Sequence, residues 1–239
     1  MQTSRKDTDM TAQKTRGWIA ITLAAAVLSL AACGGGDPEP VMRVDANGTS
    51  TMDGANLATQ LAALPLQTLS SSEAQGLAMM REEERLAHDV YAASATLWGT
   101  PIFANIAGSE ATHTAAMLSL LERYSLPDPL AGLPEGVFFT PAFQALHDAL
   151  VATSRRSLVD ALTVGVQIEE LDIRDIAALR ADTDNADIQL VYDNLQRGSR
   201  NHLRSYYKLL TQQGGRYAPQ YISQTEFDAI VSSPIETGP

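Results

Sequence analysis

The chain of 239 residues predicts an all-α protein, a four-helix bundle of two antiparallel helical hairpins joined by a long connection carrying a short helix. Three observations carry that expectation. Residues 70–231 hold four long stretches with apolar residues at helical spacing, and no strand-like alternation of useful length interrupts them. Within each hairpin the two stretches are separated by only a few turn residues, which makes them antiparallel neighbours. The stripe Phe103, Ile106, Glu110, His113, Met117, Leu120 and Tyr124 steps alternately by three and four residues, the period of a helix face buried in a bundle.

The chain opens on a leader. Arg5, Lys6, Lys14 and Arg16 precede an apolar run from Trp18 to Ala32, which is too short to cross a membrane comfortably and ends Leu30-Ala31-Ala32-Cys33-Gly34. Residues 1–32 therefore read as a secretory signal, and the ending resembles the lipobox of bacterial lipoproteins, in which the cysteine is lipidated and becomes the mature N-terminus. Cys33 is the only cysteine, so no disulfide within the chain is available to stabilise the exported protein. The leader carries four basic and two acidic residues. The remainder therefore holds 13 basic against 26 acidic side chains, a formal charge of −13. A surface of that sign excludes nucleic acid as a partner and does not adhere to anionic lipid by charge, which leaves membrane attachment to the acyl chain. Residues 33–69 are rich in Gly, Pro, Asp, Asn and Thr without a sustained period, and they read as the lipidated cysteine followed by a flexible tether.

From there each element has its signals. Ser70-Ser71-Ser72-Glu73 offers N-caps for the first long helix, which runs to about Leu97 before Gly99 stops it. Thr100-Pro101 starts the second, with proline at the first helical position, and it ends near Ser125. Pro127, Pro129, Gly132, Pro134 and Gly136 keep the chain irregular until Thr140-Pro141 opens a short amphipathic helix to about Val151. Ser157-Leu-Val-Asp160 resembles a capping box and opens the third long helix, to about Arg180. Asp182-Thr183-Asp184-Asn185 gives the turn and cap of the fourth, which reaches Gln213 before Gly214-Gly215. Ser223-Gln-Thr-Glu226 starts a last short helix buried through Phe227 and Ile230, and residues 232–239 read as a disordered tail. Two hairpins with a long crossover is the connectivity of ferritin-like four-helix bundles.

Polar residues intrude on the buried faces of all four long helices. Glu110 and His113 lie one turn apart on the stripe above. Glu169 and Asp172 fall inside the apolar face of the third helix, with Glu170 on its flank as a reserve. Ser199 and His202 interrupt the face of the fourth, and Glu83 or Glu84 points inward from the first. Carboxylates are rarely buried unless they are paired or hold a metal, because desolvating each one costs several kcal/mol or more. Carboxylate and imidazole donors suit iron, manganese or zinc, and without a thiolate copper(I) and iron–sulfur clusters are disfavoured. His88 and His147 sit at ordinary amphipathic positions, and Arg197, Arg200 and Arg204 form a ladder that reads as a solvated face. Tyr91, two turns beyond Glu84, either hydrogen-bonds a ligand or packs.

Four blocks together, Arg81-Glu-Glu-Glu-Arg-Leu-Ala-His-Asp-Val-Tyr91, Phe103-Ala-Asn-Ile-Ala-Gly-Ser-Glu-Ala-Thr-His113, Ile168-Glu-Glu-Leu-Asp-Ile173 and Asn194-Leu-Gln-Arg-Gly-Ser-Arg-Asn-His-Leu-Arg204, resemble the DUF2202 family, which is placed in the ferritin-like superfamily. The resemblance covers about residues 70–231 and implies no established activity. In ferritin-like di-iron proteins the four helices supply Glu, Glu-x-x-His, Glu and Glu-x-x-His. By that pattern the first ligand is Glu84 rather than Glu83, the second helix gives Glu110 and His113, and the third gives Glu169. The fourth departs from it, since Ser199-x-x-His202 keeps the imidazole and lacks the carboxylate. Either Asp172 supplies the missing charge or a single ion binds.

The expectation is thus an exported, lipid-anchored metalloprotein with iron or manganese in the bundle core, as one ion or a pair, held by Glu84, Glu110, His113, Glu169, Asp172 and His202. Its redox substrates would be ferrous iron, peroxide or dioxygen. The rival expectation is a non-catalytic metal-binding or partner-binding surface lipoprotein. A lipid at every N-terminus favours a monomer or homodimer over a many-subunit storage shell.

Overall fold

The structure is a computed structural model that describes residues 39–237. Among these residues the chain forms β1 (Met42–Val44), β2 (Ser50–Met52), α1 (Gly54–Ala63), α2 (Ser71–Trp98), α3 (Pro101–Arg123), α4 (Pro141–Ser154), α5 (Leu158–Ala181), α6 (Ala186–Gln212) and α7 (Gln224–Ser232). Among the described residues the protein is all-α apart from the two short antiparallel strands. The helix limits follow local chemistry. Ser70 and Glu73 close a reciprocal capping box at the start of α2, and Gly99 ends it in the left-handed region at φ 62°. Pro101 and Pro141 occupy the first turns of α3 and α4, where a missing N–H costs nothing. Thr100 and Thr140 make no side-chain cap there, so the proline and not the hydroxyl marks these starts.

α2 packs along α3 and α5 along α6, and the two hairpins meet through α2 against α5 and α3 against α6. α4, on the crossover between α3 and α5, leans on α2 and α5, and α7 packs on α6. Apolar side chains form two layers within the bundle. One contains Leu86, Val90, Phe103, Ile106, Val166 and Leu203. The other contains Leu77, Met80, Met117, Leu120, Ile176 and Leu195. On every long helix the polar intruders fall between these layers: Glu83 and Glu84 after Met80, Glu110 and His113 after Ile106, Glu169 and Asp172 before Ile176, and His202 before Leu203. Each layer removes its side chains from water at roughly 25 cal/mol per Å² of apolar area. Together they enclose a stratum of buried carboxylates and imidazoles.

Three sequence expectations fail here. Cys33 and the leader lie outside the described residues, but residues 39–69 are not an unstructured tether. Asp45 folds the turn Asp45-Ala46-Asn47-Gly48 by accepting the amides of Asn47 and Thr49, and Gly48 takes φ +83°. Met42, Met52, Leu57 and Leu61 are then buried against the bundle. The Gly, Asn and Asp residues that resembled linker composition are hairpin and cap residues, and strands of three residues are too short to show a period. The tail is likewise docked as far as it is described. Glu236 pairs with Arg200 and Arg204, and the Asn201 side chain donates to its carbonyl. The arginine ladder is therefore not a solvated face. Arg204 is 8% exposed and Arg197 9%, and the returning chain covers Arg204 through Ile230, Ser233 and Glu236.

Candidate metal centre

The layered packing buries one carboxylate from α2, one from α3, two from α5 and an imidazole from each of α3 and α6, and all but Asp172 join in groups of three donors. Glu84, Glu110, His113, Glu169, Asp172 and His202 are each at most 1% exposed. Glu110 stands at the middle. Its Oε2 lies 2.9 Å from His113 Nδ1 and its Oε1 2.7 Å from His202 Nδ1. Glu84 Oε2 is 3.4 Å from the first imidazole and Glu169 Oε2 is 3.4 Å from the second. Two three-donor groups result, Glu84–Glu110–His113 and Glu110–Glu169–His202, each with its ligand atoms within 4.8 Å of one another. The two rings are stacked 5.5 Å apart at an interplanar angle of 18°. Asp172 and Glu83 complete the stratum on the α2–α5 side, where they feel each other's charge.

These contacts are close without being hydrogen bonds. Both Nδ1 atoms, both oxygens of Glu84, Glu110 and Asp172, and Glu169 Oε2 have no aligned partner. Donors held about 2.1 Å from one ion at angles of 90–110° lie roughly 3.0–3.4 Å from one another. The observed separations cluster around that range, so the residues present fit a metal ion. Electrostatics agree. Burial, opposed by His113, lifts the Glu84 carboxyl to about 8. Burial and the Asp175 charge lift Glu83 to about 8, and burial lifts Glu169 to about 7. Asp172 is driven well above its ordinary value by burial and the surrounding carboxylates. Only Glu110 is held far down, because the two imidazoles outweigh its burial. The imidazoles respond in kind: burial disfavours their charge, but Glu110 carries His113 to about 10, and Glu169 with Glu110 carries His202 to about 9. Burial therefore favours the protonated carboxyls unless a cation balances their charge, as expected of residues able to hold a metal.

The neighbouring residues have distinct jobs. The Tyr91 hydroxyl donates to Glu169 Oε1 at 2.8 Å, which leaves Oε2 turned toward His202. Ser199 donates its hydroxyl to the Leu195 carbonyl one turn back, so α6 contributes only an imidazole to the cage. Glu170, the reserve ligand, is committed elsewhere: it accepts the backbone amides of Gln220, Tyr221 and Ile222 and the hydroxyl of Tyr217, anchoring the loop before α7. The flank position that left it ambiguous in sequence points it away from the cage. His88 bonds Asp89, and His147 contacts Asp148 and Phe138. Sequence reasoning missed Ser50 altogether. Its buried hydroxyl lies 3.1 Å from His113 Nε2 and 2.8 Å from His202 Nε2. It also missed Gly198, where a Cβ would stand 2.7 Å from His113 Cε1 and 2.9 Å from Ser50 Oγ. A glycine inside a helical pattern was the available signal of a close approach.

Fold and cage define a mostly helical protein with buried carboxylate–histidine groups that could hold metal. The chain belongs to the DUF2202 family, described as an uncharacterized protein domain, whose model matches residues 73–234. It is 48% identical over 178 residues to the uncharacterized protein MJ0754 of Methanocaldococcus jannaschii, a match covering 74% of this chain and 96% of that one. It is also similar to the crystal structure of the hypothetical protein MJ0754 from Methanococcus jannaschii, with a TM-score of 0.71 and 48% identity over 72% of this chain and 99% of the other.

Proposed function

We propose that the protein is a lipid-anchored, extracytoplasmic ferritin-like metalloprotein that binds a pair of divalent ions, iron or manganese, in the bundle core. The observation that carries the proposal is the sharing of Glu110: one oxygen faces each of two three-donor groups, so one carboxylate serves two positions. Charge supports a pair over a single ion. Glu84, Glu110, Glu169 and Asp172 offer four negative charges, which two divalent cations neutralise and one does not, and an uncompensated buried charge costs several kcal/mol. On this reading Asp172 replaces the carboxylate that α6 lacks, and Glu83 keeps its proton.

Oxygen and nitrogen donors with open positions favour iron or manganese, and zinc is compatible with the same set. When bound, such ions supply Lewis acidity and one-electron redox chemistry toward ferrous iron, peroxide or dioxygen. The chain itself does the positioning. Glu110 spans the two groups, Tyr91 fixes the rotation of Glu169, and the apolar layers above and below exclude bulk water. Plasma emission on protein purified without chelator and reconstituted with ferrous or manganous salt is expected to give two equivalents per chain. A chain that stays metal-free with ferrous, manganous and zinc salts alike would overturn the proposal. An oxygen- or peroxide-dependent ferroxidase assay then separates turnover from passive binding.

Export and anchoring rest on Arg5 to Arg16, the apolar run and Cys33, all outside the described residues. Metabolic labelling with a fatty acid is expected to mark the wild type and not Cys33→Ser, because the thiol is the only acyl acceptor the lipobox offers. Equal label in both would end the lipoprotein reading.

A further inference from the structure

We propose that Ser50 is a positioning residue of the metal centre, and that the β1–β2 hairpin is one of its walls, clamping both histidines through a single hydroxyl. This inference rests on the metal reading above. A serine hydroxyl has one proton and two lone pairs. Both imidazoles turn Nδ1 toward the carboxylates and Nε2 toward Ser50. If each ring carries its proton on Nε2, Ser50 Oγ accepts from both and its lone pairs are filled. That tautomer leaves both Nδ1 lone pairs free for a cation, the outer-shell arrangement that fixes and strengthens a histidine ligand. Because the two rings belong to different helices and share one acceptor, the same oxygen also sets the distance between the two three-donor groups.

The hairpin is held where the clamp requires it. The Ser50 amide donates to Ser109 Oγ at 3.1 Å and the Met52 amide to Thr112 Oγ1 at 3.0 Å, so β2 is stitched to α3 at the residues just before Glu110 and His113. At the other end the Ser205 hydroxyl donates to the Asn47 carbonyl, tying the turn to α6. The turn fits because Gly48 has no side chain: a Cβ there would stand 2.5 Å from Ser205 Oγ and 2.9 Å from the Asn201 carbonyl oxygen. Gly198 opens the matching space on α6 beside the Ser50 hydroxyl and the His113 ring. Ser50 lies outside the stretch that the family model matches, so the metal centre of this chain extends beyond that stretch.

The test uses the full chain with manganous or zinc ion alone, titrated against a competing chelator. Ser50→Ala is expected to bind about 10–100-fold more weakly, the usual loss for an outer-shell partner. Thr112→Ala removes one stitch of the same strand without touching either ring, and its affinity is expected to fall less than that of Ser50→Ala. A merely structural role for Ser50 would lower the melting temperature in both variants and leave affinity alone. Nitrogen-15 histidine spectra of the zinc-loaded wild type supply the second measurement, and they decide the matter if Ser50→Ala does not fold. Both rings are expected to carry an Nε2 proton protected from solvent exchange. Equal affinity of Ser50→Ala and wild type, a ring with a bare Nε2, or an Nε2 proton that exchanges as fast as that of an exposed histidine would each overturn the clamp while the metal reading stands. A wild type that takes up neither ion would overturn both.

Discussion

Glu110→Ala is expected to empty both metal positions at once, lowering the content from two equivalents to nearly none. Glu84→Ala and Glu169→Ala should each leave about one. The asymmetry follows from position: Glu84 contacts only the His113 group and Glu169 only the His202 group, whereas Glu110 reaches both imidazoles. Stability should fall as well. Without Glu110 the two stacked imidazoles lose the carboxylate that holds their protons, and breaking a buried ion pair costs roughly 3–5 kcal/mol. At about 2–4 °C per kcal/mol for a chain of this size, the melting temperature should drop on the order of 10 °C. His147→Ala, on the crossover helix α4 and away from both donor groups, should lose no metal. Plasma emission and calorimetry on the four variants read these outcomes. Retention of two ions by Glu110→Ala would show that the shared carboxylate is not a ligand to either.

Much of this arrangement was legible because it rests on long periodic helices and on charges that break their apolar stripes. The boundaries of α2 and α3 follow from Ser70, Glu73, Gly99 and Pro101, residues whose backbone preferences act locally. Glu110 and His113 stood out because the stripe around them left no solvated alternative. The choice between Glu83 and Glu84 could not be made from periodicity. α2 is covered by α3, α4 and α5, its buried face is broad, and both carboxylates lie inside it, one toward Asp172 and the other toward His113. Ser50 was illegible for a different reason. Its meaning comes entirely from contacts 63 and 152 residues away, and the three-residue strand that presents it has no pattern of its own. The same holds for Glu236, whose partners Arg200 and Arg204 resemble an ordinary charged helix face until the tail returns to them.

The stability gap between metal-loaded and metal-free protein is expected to widen as pH rises from about 5 to 8. In the metal-free chain Glu83 and Glu84 titrate near 8 and Glu169 near 7, all above the ordinary carboxylate value. A group whose folded pKa is raised stabilises the fold fully below its unfolded pKa, and that contribution disappears as pH climbs through the folded value. The metal-free protein should therefore lose stability progressively from about pH 5 upward. His113 and His202, raised to about 10 and 9, extend the loss from near pH 6.5 into the alkaline range. Glu110 has the opposite sign, but its depressed pKa costs stability only as pH falls below the ordinary carboxylate range, outside this window. The loaded protein runs the other way, because the ions compete with the protons that the cage otherwise binds, and raising the pH strengthens their grip. At free metal one hundred times Kd, each ion adds about 2.7 kcal/mol. Two such ions correspond to a difference of roughly 10–20 °C in melting temperature for a chain of this size. Calorimetric melts with and without chelator, taken at intervals from pH 5 to 8, read the gap directly. A metal-dependent gap that stayed constant across that range would mean that the buried carboxylates do not exchange protons for metal, and would remove them from the ligand set.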